Sequence, residues 1–160
     1  MRLASSARLK INGELVILGA DGRLSFDALQ QRLVTSPARA RAKAAQVPAA
    51  YAAFDLLATG GVDLRTQRWT VRRKRLEQLA RSWVPPLQLT PLTDEAREWF
   101  EVLPGAMGVE GLVVKGTATR YTPGRRDAWM KVNSVGMKGA RSLTGASAAE
   151  VRRRFKVSWR

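Results

Sequence analysis

The residue types best suited to chemistry in this chain are concentrated in the segment E-G-L-V-V-K at 110–115. A carboxylate and a lysine flank four β-prone residues. Alternation along a strand places Glu110 and Leu112 on one face and Lys115 on the other. Such a pair can bracket a phosphate-bound magnesium ion. The alternative is a buried strand that ends in solvated charges, and the pattern by itself favours that alternative.

Three further clusters carry polar or aromatic groups. In W-M-K-V-N at 129–133, Lys131 alternates with apolar neighbours and could contact a phosphate as a point charge. The loop 120–126 carries Arg120, Arg125 and Arg126, which suit phosphate contacts, although an ordinary solvated hairpin is equally compatible. Phe54, on an apolar strand, could stack on a purine ring, but such residues more often belong to the core.

Hydrophobic periodicity indicates the elements that would position these residues. The predicted strands are 11–18, 49–57, 87–90, 111–115 and 127–132, and the predicted helices lie at 26–33, 71–83 and 96–103. Residues 36–47 are interpreted as an exposed helix or a mobile connection, and Gly105 and Gly108 as punctuation of a loop. The order of these elements predicts an α+β domain with a mostly antiparallel sheet flanked by helices.

Composition restricts the possible chemistry. The 160 residues suit one domain, and the net charge of +15 favours a polyanionic partner, although a solvated basic face is the alternative. The chain has no cysteine and no histidine, which excludes disulfides, thiolate or imidazole metal sites and Ser-His-Asp triads. No apolar run approaches the roughly 20 residues that span a bilayer, so we expect no membrane partner and a cytoplasmic location.

In their order and spacing, these clusters resemble the ATP-dependent DNA ligase family, in particular its compact bacterial type linked to end-joining repair. The resemblance runs from about Gly13 to about Val132. Its motifs are G-E-L-V at 13–16 (motif III), F-D-L-L at 54–57 (motif IIIa), E-G-L-V-V-K at 110–115 (motif IV) and W-M-K-V at 129–132 (motif V). The resemblance implies a partial, ATP-grasp-like nucleotidyltransferase (adenylation) domain at 1–133 and a basic tail without an OB-fold at 134–160.

The resemblance also implies roles for single residues. Glu14 would lie near the nucleotide ribose and the metal, and Phe54 would stack on adenine. Glu110 would help to hold Mg²⁺. Lys115 and Lys131 would contact the phosphates of ATP and act as the catalytic cations. The implied activity is adenylyl transfer followed by nick sealing in double-stranded DNA, with Arg120, Arg125 and Arg126 on the DNA, in repair or recombination.

The sequence departs from the family in three places. The nucleophilic lysine of the family's K-x-D-G motif is not expected here, because K-I-N-G at 10–13 already belongs to motif III, which makes Lys10 an unlikely nucleophile. Asn12 and Asn133 replace an acidic and a basic residue. We therefore expect a chain that cannot self-adenylate alone and that could require an upstream ligase fragment. The alternatives are a non-catalytic basic nucleic-acid-binding remnant and, less favoured, an RNA ligase or capping-type nucleotidyltransferase.

Overall fold

The computed structural model describes residues 8–94, 96–124, 129–133 and 155–159. Within them the chain forms an α+β fold with two sheets. The elements are β1 (Lys10–Ile17), α1 (Phe26–Leu33), α2 (Pro37–Gln46), β2 (Ala49–Thr59), β3 (Val62–Asp63), α3 (Trp69–Ala80), β4 (Leu87–Leu89), α4 (Ala96–Met107), β5 (Gly111–Gly116), β6 (Trp129–Asn133) and β7 (Phe155–Trp159). Arg125, Arg126 and most of the tail at 134–160 lie outside the described residues.

The first sheet is built around β2, which pairs antiparallel with β1 and β3 and parallel with β4. The prediction of a mostly antiparallel sheet is therefore confirmed, with one short parallel pair. β1 lies very close to β2 at Gly13, where an added Cβ would be 2.6 Å from the Tyr51 ring and 2.7 Å from the carbonyl oxygen of Ala52. This close approach requires glycine.

The second sheet has the order β6-β5-β7, with both pairs antiparallel. Leu112 is buried in β5 and packs with Val114 and Val132 against Trp99 and Leu103 of α4. Alternation along the strand places Lys115 on the other face. The opposite face of β5 is therefore directed away from α4.

Helix α3 joins the two sheets. Its Leu76 packs on β2 in a buried cluster with Ala53 and Leu56. At its first turn, the backbone N–H of Trp69 donates to the carbonyl oxygen of Thr119, just after β5, at 2.7 Å. Movement of β5 relative to β2 would therefore break contacts of α3.

A buried ion pair strengthens this connection. The guanidinium of Arg72 in α3 donates to both carboxylate oxygens of Asp55 in β2, each at 2.9 Å, and neither side chain is exposed to solvent. A third group of the same guanidinium, Nη1, donates to the carbonyl oxygens of Gln67 at 2.6 Å and Thr119 at 3.4 Å. Arg72 therefore contacts both the first sheet and the turn that follows β5.

Two expectations from the sequence are resolved or corrected. Residues 37–46 form helix α2, not a mobile connection. Helix α4 continues through Pro104 and Gly105 to Met107, and the chain turns at Gly108, where φ is +68°. Within the basic tail, residues 155–159 form strand β7, which pairs with β5. Within the described residues no helix is long and apolar enough to cross a membrane.

Candidate functional site

Lys115 and Phe54 meet in a cavity of about 490 Å³ between the two sheets, which we call the inner cavity. Strands β1 and β2 supply one side of it and strands β5 and β6 the other. Its lining residues are Asn12, Gly13, Glu14, Leu15, Leu29, Tyr51, Phe54, Val113, Lys115 and Trp129. Three residues that the sequence singled out, Glu14, Phe54 and Lys115, are thus brought together.

Lys115 is buried, with a relative exposure of 1%. Its ammonium nitrogen lies 4.5 Å from the centre of the Phe54 ring, 4.6 Å from that of Trp129 and 5.9 Å from that of Trp69. Aromatic faces attract cations at these distances. The interpretation of Lys115 as a solvated charge at a strand end is therefore wrong, because its side chain is buried among three aromatic rings.

Phe54 is half-buried and borders the inner cavity. Its ring meets that of Trp129 edge to face, with centroids 6.4 Å apart and an interplanar angle of 79°. Tyr121 meets the Trp129 ring in the same manner at 6.0 Å and 72°. Phe54 is consequently a cavity-lining aromatic, as a stacking role requires, and not a fully enclosed core residue.

Tyr51 forms part of the same wall. Its hydroxyl donates a hydrogen bond to the carbonyl oxygen of Ile11 at 3.1 Å, which ties β2 to β1. Burial raises the pKa of this hydroxyl above its ordinary value. The phenol therefore stays protonated at neutral pH and remains a donor.

Glu110 and Lys131 lie beside a second, outer cavity of about 390 Å³. The Lys131 ammonium donates to the Glu110 carboxylate at 3.1 Å, and the two side chains are 38% and 69% exposed. Glu14 lines both cavities. Because an exposed ion pair contributes little to stability, a ligand can replace it at small cost.

The carboxylates of Glu14 and Glu110 are the hard oxygen donors that Mg²⁺ prefers, so the donor set fits this ion. Among the described residues there is no group of three or more His, Cys, Asp or Glu side chains that could hold a metal. A magnesium ion at Glu110 would therefore take most of its ligands from phosphate oxygens and water, which is its usual coordination beside a nucleotide.

Arg120 and Lys10 are not among the residues that line the inner cavity, and Arg125 and Arg126 lie outside the described residues. Arg120 is exposed and lines a shallow cavity of about 150 Å³ with Asn12, Tyr121 and Trp129 among its neighbours. Lys10 is exposed at the start of β1 and is not one of the described residues that line the inner or outer cavity.

Sequence reasoning missed the aromatic surroundings of Lys115. The sequence places Trp129 at the start of motif V and does not indicate that Trp129 or Trp69 lies beside Lys115. The register of β5 and β6 pairs Lys115 directly with Trp129. The sequence does show a lysine and a tryptophan in two consecutive predicted strands. Only the register of the two strands decides that they are cross-strand partners.

Known proteins share this sequence and fold. The family described as ATP dependent DNA ligase domain matches residues 2–133. DNA ligase C2 of Mycolicibacterium smegmatis is 40% identical over 122 residues, covering 74% of this chain and 34% of that protein. DNA ligase C of Mycobacterium tuberculosis is 35% identical over 126 residues, covering 74% of this chain and 35% of that protein.

Solved structures agree with these relatives. The ligase domain of M. tuberculosis LigD matches with a TM-score of 0.63 and 29% identity, over 79% of this chain and 38% of that one. A mycobacterial DNA ligase D complexed with ATP and MES matches with a TM-score of 0.62. The α+β fold with its two sheets is thus that of a ligase adenylation domain. The chain belongs to the ATP-dependent DNA ligase family, bacterial type, and spans about a third of the curated relatives named above.

Proposed function

We propose that this chain forms the ATP-binding wall of a DNA ligase and takes part in adenylyl transfer and nick sealing in DNA. The observation that carries the proposal is the inner cavity, where the buried Lys115 lies beside Phe54 and Glu14. A buried ammonium next to an aromatic face suits a ligand that joins an anion to a flat ring. ATP is such a ligand.

Each side chain has a stated task in this proposal. Phe54 stacks on the adenine ring, and Glu14 faces the ribose. Lys115 and Lys131 bind phosphate oxygens and stabilise the negative charge that develops during transfer of the adenylyl group. Glu110 would hold Mg²⁺, which would supply further charge neutralisation at the phosphates. Positioning and electrostatics are the main contributions to phosphoryl chemistry, so a site without histidine or cysteine is sufficient.

The proposed nucleic-acid partner is nicked double-stranded DNA in repair or recombination in the cytoplasm. The net charge of +15 provides long-range attraction to the DNA backbone. Arg120 is exposed on the loop after β5, and with Arg125 and Arg126 it is proposed to contact DNA phosphates.

The proposal is tested first by nucleotide binding. The full chain is titrated with ATP and Mg²⁺ by calorimetry and compared with the variants Lys115→Met and Lys74→Met. Lys74 is an exposed lysine of α3 and serves as the matched control. We expect Lys115→Met to weaken ATP binding at least about tenfold, since a charge-assisted contact contributes about 1.5–3 kcal/mol, and Lys74→Met to bind like the wild type. An unmodified chain that binds no ATP would refute the proposal.

The second test concerns the nucleophile. The sequence contains no K-x-D-G segment. We therefore propose that the chain alone forms no covalent AMP adduct with α-labelled ATP, and that adding an upstream ligase fragment with K-x-D-G produces one on that fragment. An adduct formed by the chain alone and abolished by Lys10→Ala would identify Lys10 as the nucleophile and overturn this part of the proposal.

A second candidate function is basic nucleic-acid binding without nucleotide chemistry. The net charge of +15 favours it, because a basic chain attracts the DNA backbone whether or not a nucleotide is bound. This candidate predicts DNA binding that weakens with salt and does not change when ATP is added. ATP-dependent retention on nicked DNA, compared with intact duplex, would exclude it.

A further inference from the structure

Lys115 is surrounded by aromatic rings from three separate elements. Phe54 comes from β2, Trp69 from the start of α3 and Trp129 from the start of β6, with the ammonium nitrogen 4.5, 5.9 and 4.6 Å from their respective ring centres. We call these three residues the aromatic cage. Burial disfavours a charged ammonium, and the negative faces of aromatic rings offset part of that cost.

Trp129 is the member of the cage that is best placed to hold the ammonium in position. An indole is the most favourable of the aromatic rings for a cation. Trp129 is the direct cross-strand partner of Lys115, and Tyr121 supports its ring edge to face at 6.0 Å. Both Lys115 and Trp129 line the inner cavity, although the Lys115 side chain itself is only 1% exposed.

The other two rings have different surroundings. Trp69 is 1% exposed and is fixed at the start of α3, where its backbone N–H donates to the Thr119 carbonyl oxygen. Phe54 already has a proposed contact with the adenine ring. Trp129 is half-buried at the cavity wall, and no contact with ATP is assigned to it.

We propose that Trp129 is a positioning residue: its ring holds the Lys115 ammonium at the inner cavity, where the ammonium binds the polyphosphate of the ligand. The inference rests on the proposed function, because it assigns that same cavity to a phosphate-bearing ligand. It adds a residue that acts through Lys115 and not by touching the ligand. A ring is suited to this task because it attracts the cation without introducing a negative charge that would repel phosphate.

The experiment measures how strongly Trp129 and Lys115 depend on each other. Inorganic triphosphate is titrated into the full chain by calorimetry, for the wild type, Trp129→Leu, Lys115→Met and the double variant. We expect Trp129→Leu to weaken triphosphate binding about five- to thirtyfold, the range for a desolvated cation–π contact, and Trp129→Phe to weaken it less. In the Lys115→Met background, Trp129→Leu should have no further effect.

Trp99→Leu is the matched control. Trp99 is a half-buried tryptophan that packs on the opposite face of β5, against Leu112. We expect this variant to lower the midpoint of thermal unfolding while leaving triphosphate affinity unchanged. If Trp129→Leu does not fold, Trp129→Phe, which keeps a ring, replaces it. Its triphosphate affinity is then measured with and without Lys115→Met.

Three results would overturn the inference. The wild type could bind no triphosphate, or the Trp129 variants could bind it as tightly as the wild type. Trp129→Leu could also lower triphosphate affinity by the same factor with Lys115 present and with Lys115→Met. Failure of the proposed function is recognised separately. Triphosphate could bind with the expected dependence on Trp129 while ATP binds no more tightly than triphosphate. That result would refute the proposed contact of Phe54 with adenine and would support the inference about Trp129.

Discussion

At the scale of single residues, the most consequential contact outside the cavity is the buried pair of Asp55 and Arg72. Both side chains are completely buried, and the Asp55 carboxylate also accepts from the backbone N–H of Leu56 at 2.9 Å. In the sequence, Asp55 belongs to the F-D-L-L segment at 54–57, and nothing there indicates a partner for its carboxylate. Spacing of 17 residues cannot by itself show that a strand carboxylate and a helix guanidinium will meet.

Arg72→Met should lower the free energy of unfolding by about 3–5 kcal/mol, because it leaves the Asp55 carboxylate buried without its cation. The measurement is urea denaturation followed by circular dichroism. Arg75→Met changes an exposed arginine of the same helix and should remain within about 0.5 kcal/mol of wild type. A loss below about 1 kcal/mol for Arg72→Met would show that the pair contributes little.

The exposed pair of Asp63 and Arg65 makes a prediction about pH. Hydrogen bonds from Arg65 lower the pKa of the Asp63 carboxyl from 3.8 to about 2. Because the pKa in the folded state is depressed, the contribution to stability is present above pH 3.8 and is lost as the pH falls towards 2. A carboxyl titration by NMR should show this value, and Arg65→Gln should raise it towards 3.8. An unchanged titration in Arg65→Gln would contradict the assignment.

At the scale of elements, the sequence predicted strands and helices well where the periodic pattern is local. It placed α1, α3 and β5 to within a few residues, since each carries a run of regularly spaced apolar side chains. It ended α4 too early, at 103, because Pro104 and Gly105 are poor helix formers, whereas the helix continues to Met107.

Substitution of glycine by alanine is expected to have opposite effects on stability at Gly13 and at Gly105. Gly13→Ala should destabilise the chain by about 1–3 kcal/mol, since the new Cβ would lie 2.6 Å from the Tyr51 ring and force β1 away from β2. Gly105→Ala, where a Cβ meets nothing within 4 Å, should stabilise α4 by about 0.4–1 kcal/mol. Thermal unfolding of both variants tests this, and equal midpoints would contradict it.

At the scale of the whole molecule, the sequence predicted the α+β class and the family, because four motifs lie in order along the chain. It could not predict which distant segments would pair. The pairing of β7 with β5 joins residues about forty positions apart, and the basic composition around 152–154 concealed the strand. The candidate site was anticipated at Glu14, Phe54, Glu110, Lys115 and Lys131, but their division between two cavities depends on how the two sheets lie together.

The strong positive charge predicts salt-dependent affinity for DNA. Binding to a nicked duplex, followed by fluorescence anisotropy, should weaken linearly in a plot of log affinity against log salt concentration. Arg120→Gln should reduce the slope by about 1 if Arg120 contacts a phosphate. Arg39→Gln, on the exposed helix α2, should change it less. Identical slopes for both variants would refute the assignment of Arg120 to the DNA surface.

The position of β5 between β6 and β7 also affects how fast its amide hydrogens exchange with solvent. Residues Leu112 to Lys115 are paired with neighbours on both sides. Their amide hydrogens should be among the slowest in the chain to exchange with deuterated water, because exchange there requires the second sheet to open. Ligands would then come and go at Lys115 many times before the strand that carries it opens once.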